Sequence, residues 1–459
     1  MHAARVFSSE ELEKFAGPRT FARGLGARRA ERGACSAAIE QAGWVRGLLR
    51  ALFLTWDGSQ QTYLESLFFP IFAELGKLGV EVEVLQLTWA DASAVASTAQ
   101  AAKRFEISYR AERTSRRFGL LGQLSGVVRG ARLVAAHMRA RGIDVLFPRS
   151  LLPASMALLA LRQLPNARLV FDADGLMADE RVDFAGWSKR SPVYLTLRAI
   201  EARALRRADS VITRTHAAKA ILVERARRDV ADKIVVIPNA KDSAVFTPGS
   251  AEQRAQQRRR WGIPDEVPLV IYTGSLGPQY VPERMLDLLV ALRQRNPNTR
   301  FVAFTFQEQQ LESALRARGI PAEHALVARA EPSEIPAALA AADLGLALRQ
   351  VSFSQRAICP IKVAEYLQCG VPVVSSPVGD LAEQLGPRVA FLVDPASGRD
   401  LGPACDWFFD RVLPARDVVR SDCRELGERL FGVRGCAEAY RAAFGRVGVP
   451  AAGGVSGRP

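Results

Sequence analysis

Short apolar runs and longer amphipathic segments alternate twice along this chain, in two series separated by a polar, Arg/Gln-rich stretch. No other feature restricts the fold as much. Short apolar runs between amphipathic segments read as parallel strands buried on both faces, each followed by a helix that carries the chain back across the sheet. The first series has its runs at 49–56, 80–85, 143–147, 168–171, 208–213 and 233–237. The second has them at 269–273, 300–304, 325–329, 343–348, 371–374 and 389–393. The expected fold class is therefore α/β, with two Rossmann-like domains facing a cleft. The boundaries follow from shifts in composition: an N-terminal extension over 1–45, an N-terminal domain over 46–245, and a linker over 246–266. A C-terminal domain over 267–447 takes the final helices with it, and a Gly/Pro/Ala-rich tail over 448–459 reads as disordered.

The 459 residues carry a formal charge of +14, of which Arg supplies far more than Lys. Such a balance suits a phosphate-bearing ligand, an anionic membrane surface or nucleic acid. Nucleic acid is not expected, because the basic residues are not interleaved with stacking aromatics. Over 103–141 a dense basic stretch has apolar residues at helical spacing. It reads either as an element lying on an anionic membrane or as the solvated face of a helix packed on the sheet. The six cysteines are scattered, which fits a reducing, cytoplasmic setting. The four histidines lack ligand spacing, so no metal and no cofactor is expected. No apolar run reaches a membrane-spanning length.

The most informative stretch is 360–374, Pro-Ile-Lys-Val-Ala-Glu-Tyr-Leu-Gln-Cys-Gly-Val-Pro-Val-Val. Pro360 suits the first helical position, Gly370 a left-handed helix end, and the following apolar run an inner strand. Lys362 and Glu365 are three apart and share a helix face. Lys362 in the first turn opposes the helix dipole unless an anion such as a diphosphate lies beside it. The Glu365 carboxylate can accept two hydrogen bonds from a cis-diol such as a ribose. The alternative is an ordinary surface Lys–Glu pair. A second motif, Asp172-Ala173-Asp174 at the end of a strand, reads as a metal–diphosphate clamp or as loop capping by Asp.

Five stretches in order resemble the GT-B glycosyltransferases of family 4, the group 1 transferases. They are Ala208 to Thr213, Lys233 to Asn239 with Asp242 and Phe246, Tyr272 to Leu276, Pro360 to Val374, and Phe431-Gly432-Val433. The resemblance covers about residues 48–447. It implies GT-B architecture and a retaining transfer from a nucleotide-sugar donor, bound in the C-terminal lobe, to a glycan or lipid-linked acceptor, in surface polysaccharide synthesis. The enzyme would then lie in the cytoplasm, at the inner face of the membrane. It further implies Gly274 and Ser275 near the diphosphate, Lys362 neutralising it with Ile361 beside it, Glu365 on the ribose, Glu331 near the base and Gly58 beneath the phosphates. The chain departs from the family at four points, one of them near Tyr280, where the lysine that usually follows in the donor lobe is missing. Ala357 stands where a first glutamate is frequent, Ser275 where an arginine is, and Pro148-Arg149-Ser150 at a strand exit that frequently bears histidine. Arg149 and Arg356 are the candidates to restore the missing positive charge. A sugar-nucleotide epimerase and an inactive scaffold of the same fold are the alternative functions.

Overall fold

The computed structural model describes residues 48–58, 63–114 and 119–447. The N-terminal extension and the C-terminal tail lie outside the described residues. Two parallel sheets organise the rest. The first has the order β3-β2-β1-β4-β5-β6-β7. Its strands are β1 (Leu49–Asp57), β2 (Val80–Thr88), β3 (Tyr109–Arg113), β4 (Val145–Pro148), β5 (Arg168–Asp174), β6 (Ser210–Thr213) and β7 (Ile234–Val236). The second has the order β10-β9-β8-β11-β12-β13. It contains β8 (Leu269–Thr273), β9 (Arg300–Phe304), β10 (Ala325–Ala328), β11 (Leu344–Ala347), β12 (Val373–Ser375) and β13 (Ala390–Leu392). In each sheet the strand order reverses beside the strand that opens it, β1 or β8. That crevice is where doubly wound sheets receive ligands. This is the expected GT-B class.

The apolar runs are continuous because both faces of each sheet are covered. Along β1, Leu52 and Leu54 enter one core while Ala51 and Phe53 enter the other. Phe53 sits among aromatic rings, 4.7 Å from Phe68, 5.1 Å from Phe72 and 5.0 Å from Phe147 between centroids. The second lobe has its own core on β8, β11 and β12, with Tyr366 and Leu367 of the 360–374 stretch inside it.

Two expectations change. The basic stretch over 103–141 is not one helix: Lys103 and Arg104 end the helix Ala92–Arg104, β3 follows, and a second helix runs Gly119–Arg141. β3 is a polar edge strand, so it carries too few apolar residues to announce itself. The second change concerns the last described helix, Val433–Gly445, which the sequence places with the second domain. It crosses back and packs on the first sheet, with Tyr440 and Phe444 at 6.0 and 5.3 Å from the Phe147 ring. Its apolar residues Val433, Cys436, Ala437, Tyr440 and Phe444 form one stripe, and that stripe completes the first lobe's core. The chain crosses between the lobes twice, and the two crossings run side by side: the Lys241 N–H donates to the Phe431 carbonyl at 2.8 Å.

Candidate functional site

The carboxyl ends of both sheets open onto a cavity of about 740 Å³. Its second-lobe wall is built by Gly274, Ser275, Tyr280, Arg349, Ile361 and Lys362; the first lobe supplies Tyr63, Arg149, Asp174, Glu180 and Arg214. Gly274 leaves β8 at φ +115°, a conformation other residues rarely adopt. A Cβ there would stand 2.7 Å from the Lys362 Cε. The turn is glycine because a lysine lies directly on it. Lys362 comes from the first turn of the helix Ile361–Gln368, for which Pro360 is the N-cap at φ −68° and ψ 116°, one residue earlier than expected. Gly370, at φ +72°, follows the helix end as read.

The Lys362 Nζ donates to the Tyr272 hydroxyl at 2.8 Å and lies 4.0 Å from the ring centroids of both Tyr272 and Tyr280. Burial lowers its pKa well below the ordinary lysine value; the Arg349 charge adds to this and Glu365 opposes it. Arg349 follows β11 and lies over the other side of the cluster, 4.7 Å from the Tyr280 centroid, with its Nε donating to the Gln355 Oε1 at 2.7 Å. Neither cation pairs with a carboxylate among the described residues. Two unneutralised cations on an aromatic floor, above a glycine turn, make a receptor for a dianionic or trianionic group.

The opposite wall is neutralised within itself. Arg214 is buried and reaches Asp172 Oδ2 at 2.5 Å, the Tyr440 hydroxyl at 3.0 Å and the Ile237 carbonyl at 3.2 Å. Arg149 donates to Asp174 Oδ2 at 2.7 Å and lies 4.7 and 4.8 Å from the ring centroids of Tyr63 and Phe68. Burial alone would raise the Asp174 pKa, but Arg149 and Arg214 together bring it below the usual carboxylate value. The Asp172-x-Asp174 pair thus serves as the counter-charge of two arginines. The Asp174 N–H also donates to Asp172 Oδ1 at 3.0 Å, which is loop capping of the expected kind. Strand exits here hold unusual backbone: Ser150 at φ +70° and Asp174 at φ +52°.

Contacts across the cleft hold the 352–359 segment of the second lobe against the first. Asp183 accepts from the Ser354 N–H at 2.8 Å, Thr215 Oγ1 donates to the Arg356 carbonyl at 2.8 Å, and Asn239 Nδ2 donates to the Cys359 carbonyl at 2.7 Å. Asp380 accepts from the His216 N–H at 2.7 Å, at the start of the helix His216–Ala226.

Of the residues singled out from sequence, the structure brings Gly274, Ser275, Ile361, Lys362 and Arg149 to the cavity wall. Four others lie outside its lining. Gly58 ends β1 under Trp89, where a Cβ would stand 2.3 Å from the indole Nε1. Glu331 is exposed, with its N–H donating to Glu334 Oε2 at 2.9 Å. Arg356 is exposed, 5.8 Å from the Phe353 centroid. Glu365 pairs with the buried Lys241 at 2.7 Å, in the seam where the chain crosses between lobes. Among the two candidate replacement cations, Arg149 is already matched by Asp174 and Arg356 does not reach the wall. Arg349, which was not singled out from sequence, lines the wall beside Lys362. Its signal was its position directly after a second-lobe strand, on the edge where ligands bind.

Comparison with known proteins bears on the fold and the family. Residues 253–412 match the family described as Glycosyl transferases group 1, and residues 71–245 match Glycosyltransferase Family 4. A D-inositol 3-phosphate glycosyltransferase of Stackebrandtia nassauensis is 32% identical over 97 residues, 21% of each chain. That of Salinispora arenicola is 28% identical over 181 residues, 39% of this chain and 40% of the relative. The matched stretches thus span less than half of either curated relative. Among solved structures, Anabaena HepE in complex with UDP and glucose superimposes with a TM-score of 0.65 at 20% identity, over 86% of this chain and 99% of that one. At that identity the likeness speaks for the fold. The two family matches follow one another along the chain, one on each sheet, and with them the chain belongs to the group 1, family 4 glycosyltransferases of GT-B fold.

Proposed function

We propose that this protein transfers a sugar from a nucleotide-sugar to a hydroxyl of a glycan or lipid-linked acceptor, with retention at the anomeric carbon. The observation that carries the reading is the pair Lys362 and Arg349 on Tyr272 and Tyr280, over the Gly274 turn. When the bond from sugar to diphosphate breaks, the electron pair stays on the diphosphate oxygen. Two preorganised cations without carboxylate partners among the described residues stabilise that charge as it develops, which is the main electrostatic lever available in such a site. Arg149 and Arg214, matched by Asp174 and Asp172, shape the first-lobe wall without adding net charge. A uridine diphosphate donor is the first to test, since the HepE structure holds UDP.

The membrane part of the reading rests on exposed basic residues: Lys103 and Arg104 at the end of the helix Ala92–Arg104, Arg113 at the end of β3, and Arg129 and Arg132 along the helix Gly119–Arg141. Among the described residues no helix is long and apolar enough to cross a membrane. The proposed setting is a cytoplasmic enzyme resting on an anionic inner leaflet, where a surface polysaccharide or glycolipid is built.

The test is calorimetric titration of wild type and Arg349→Ala with UDP, GDP and ADP, with and without chelator. The expected result is binding of one nucleotide that survives chelator and weakens in the variant. Absence of binding by all three nucleotides overturns the reading.

A further inference from the structure

Between residues 172 and 183 the chain carries five acids, Asp172, Asp174, Asp179, Glu180 and Asp183. Four are consumed by the protein itself. Asp172 holds Arg214 and Asp174 holds Arg149. Asp179 holds Arg225 at 2.8 Å and accepts from the Tyr194 hydroxyl at 3.1 Å. Asp183 accepts from the Ser354 N–H across the cleft. The Glu180 carboxyl alone makes no hydrogen bond or ion pair among the described residues, and Glu180 is the one acid of the helix Met177–Ala185 that lines the cavity. The local chain is shaped to leave it there. Gly175 is open on the side where the carboxyl lies: a Cβ at 175 would stand 2.9 Å from the Glu180 Oε1 and 3.6 Å from the Ile358 Cδ1 of the other lobe. The carboxyl therefore lies in the gap between the first-lobe strand exit and the second-lobe segment just before Lys362.

We propose that Glu180 is the acceptor contact: its carboxylate accepts a hydrogen bond from a hydroxyl of the acceptor and holds that hydroxyl in the gap opposite the Lys362–Arg349 diphosphate site. This rests on the glycosyltransferase reading above. A partly buried carboxyl without a protein partner is costly to keep unless a ligand completes it. A hydroxyl is the ligand chemistry that fits, because it can donate a hydrogen bond to the Glu180 carboxylate, whereas an anionic group has no donor to offer it. The charged groups facing Glu180 are Asp174 on β5, Arg349 after β11, Arg181 and Asp183 on its own helix, and the Tyr63 hydroxyl. Burial raises its pKa above the ordinary glutamate value, Asp174 and Asp183 add to that rise, and Arg349 and Arg181 oppose it. The hydrogen-bond-accepting form is then lost as pH falls through a value above the ordinary glutamate range.

Because the side chain has no hydrogen-bond or ion-pair partner among the described residues, its replacement is expected to leave the fold intact. Wild type, Glu180→Gln, Glu180→Ala and Glu180→Asp are assayed for UDP release from UDP-glucose, in water alone and with D-inositol 3-phosphate, glucose or glycerol as hydroxyl acceptors. UDP affinity is measured on the same samples. UDP affinity is expected not to fall in any of the variants. The kcat/KM for the acceptor is expected to fall roughly ten- to a hundredfold in Glu180→Gln and Glu180→Ala, the value of a hydrogen bond to a charged group, and to recover in part in Glu180→Asp. The acid limb of the wild-type pH profile should vanish in Glu180→Gln. Three results overturn the proposal while leaving the donor site standing. One is wild-type acceptor kinetics in Glu180→Gln, another an unchanged acid limb. The third is UDP that binds but whose release from UDP-glucose no hydroxyl compound accelerates over water. Loss of UDP affinity in parallel with turnover would also overturn it, by placing Glu180 on the donor.

Discussion

Lys362→Met removes one charge and one donor while keeping an unbranched stem against Tyr272 and Tyr280. In the ligand-free protein the Nζ meets, among the described residues, the Tyr272 hydroxyl at 2.8 Å and two ring faces. With a diphosphate present it gains a charge-assisted hydrogen bond worth about 1.5–3 kcal/mol. Its loss weakens UDP binding by roughly ten- to a hundredfold, and no further, because Arg349 remains. The same substitution should raise the melting temperature of the ligand-free protein at neutral pH. A lysine whose folded pKa is lowered binds fewer protons folded than unfolded, so it penalises folding at every pH below the ordinary lysine value of 10.5. The penalty is full below the folded pKa and fades as pH rises to the unfolded one. The gain in Lys362→Met should therefore shrink as pH approaches that value. Titration calorimetry in two buffers of different ionisation heat completes the case: UDP binding to wild type takes up a proton above the lowered pKa, and binding to the variant takes up less. Equal UDP affinity in the two proteins, or a variant less stable than wild type at neutral pH, would refute the reasoning.

Three further outcomes follow from other parts of the structure. Arg214→Met leaves Asp172 buried without its partner and should cost about 3–5 kcal/mol in urea unfolding, whereas Tyr440→Phe should cost about 1 kcal/mol; a wild-type midpoint in Arg214→Met would contradict the network. Gly274→Ala puts a Cβ at φ +115°, 2.7 Å from the Lys362 Cε, and should lower both melting temperature and UDP affinity, with backbone strain of roughly 1–3 kcal/mol. Reversing Lys103, Arg104, Arg129 and Arg132 to Glu should abolish partitioning onto phosphatidylserine vesicles at low salt, each basic residue being worth about 1 kcal/mol near such a surface; unchanged partitioning would remove the membrane proposal.

The strands buried on both faces were legible because their runs are continuously apolar, and the Gly274–Lys362 corner because glycine and lysine each sat where a helix or strand end demands a reason. Glu365 shows where sequence spacing stops. Three residues along a helix fix a shared side, but not what each end of that side meets. Lys362 begins the helix Ile361–Gln368 at the cavity, while Glu365 one turn on reaches the crossing chain and Lys241. Arg349 needed the strand order: only with β11 beside β8 does the residue after one strand face the turn after the other. β3 was hidden because an edge strand needs little apolar surface, and its residues Tyr109 to Arg113 look like one more piece of the basic stretch around them. The departure at Ser275 was visible, but the cation beside Lys362 in the structure follows another strand, where no alignment of spacing points.

The return of the helix Val433–Gly445 also sets an order of assembly. A chain emerging from the ribosome makes the first sheet early, yet Phe147 lacks two of its ring neighbours until Tyr440 and Phe444 emerge. The buried guanidinium of Arg214 likewise waits for the Tyr440 hydroxyl. The second sheet, by contrast, has all of its strands and its core up to Phe431 in hand before that helix is made. The half of the molecule that is synthesised first is thus completed last, the reverse of the usual N-to-C sequence of domain folding during translation. A nascent chain stalled at Gly432 would carry a finished second lobe and a first lobe with an open apolar groove.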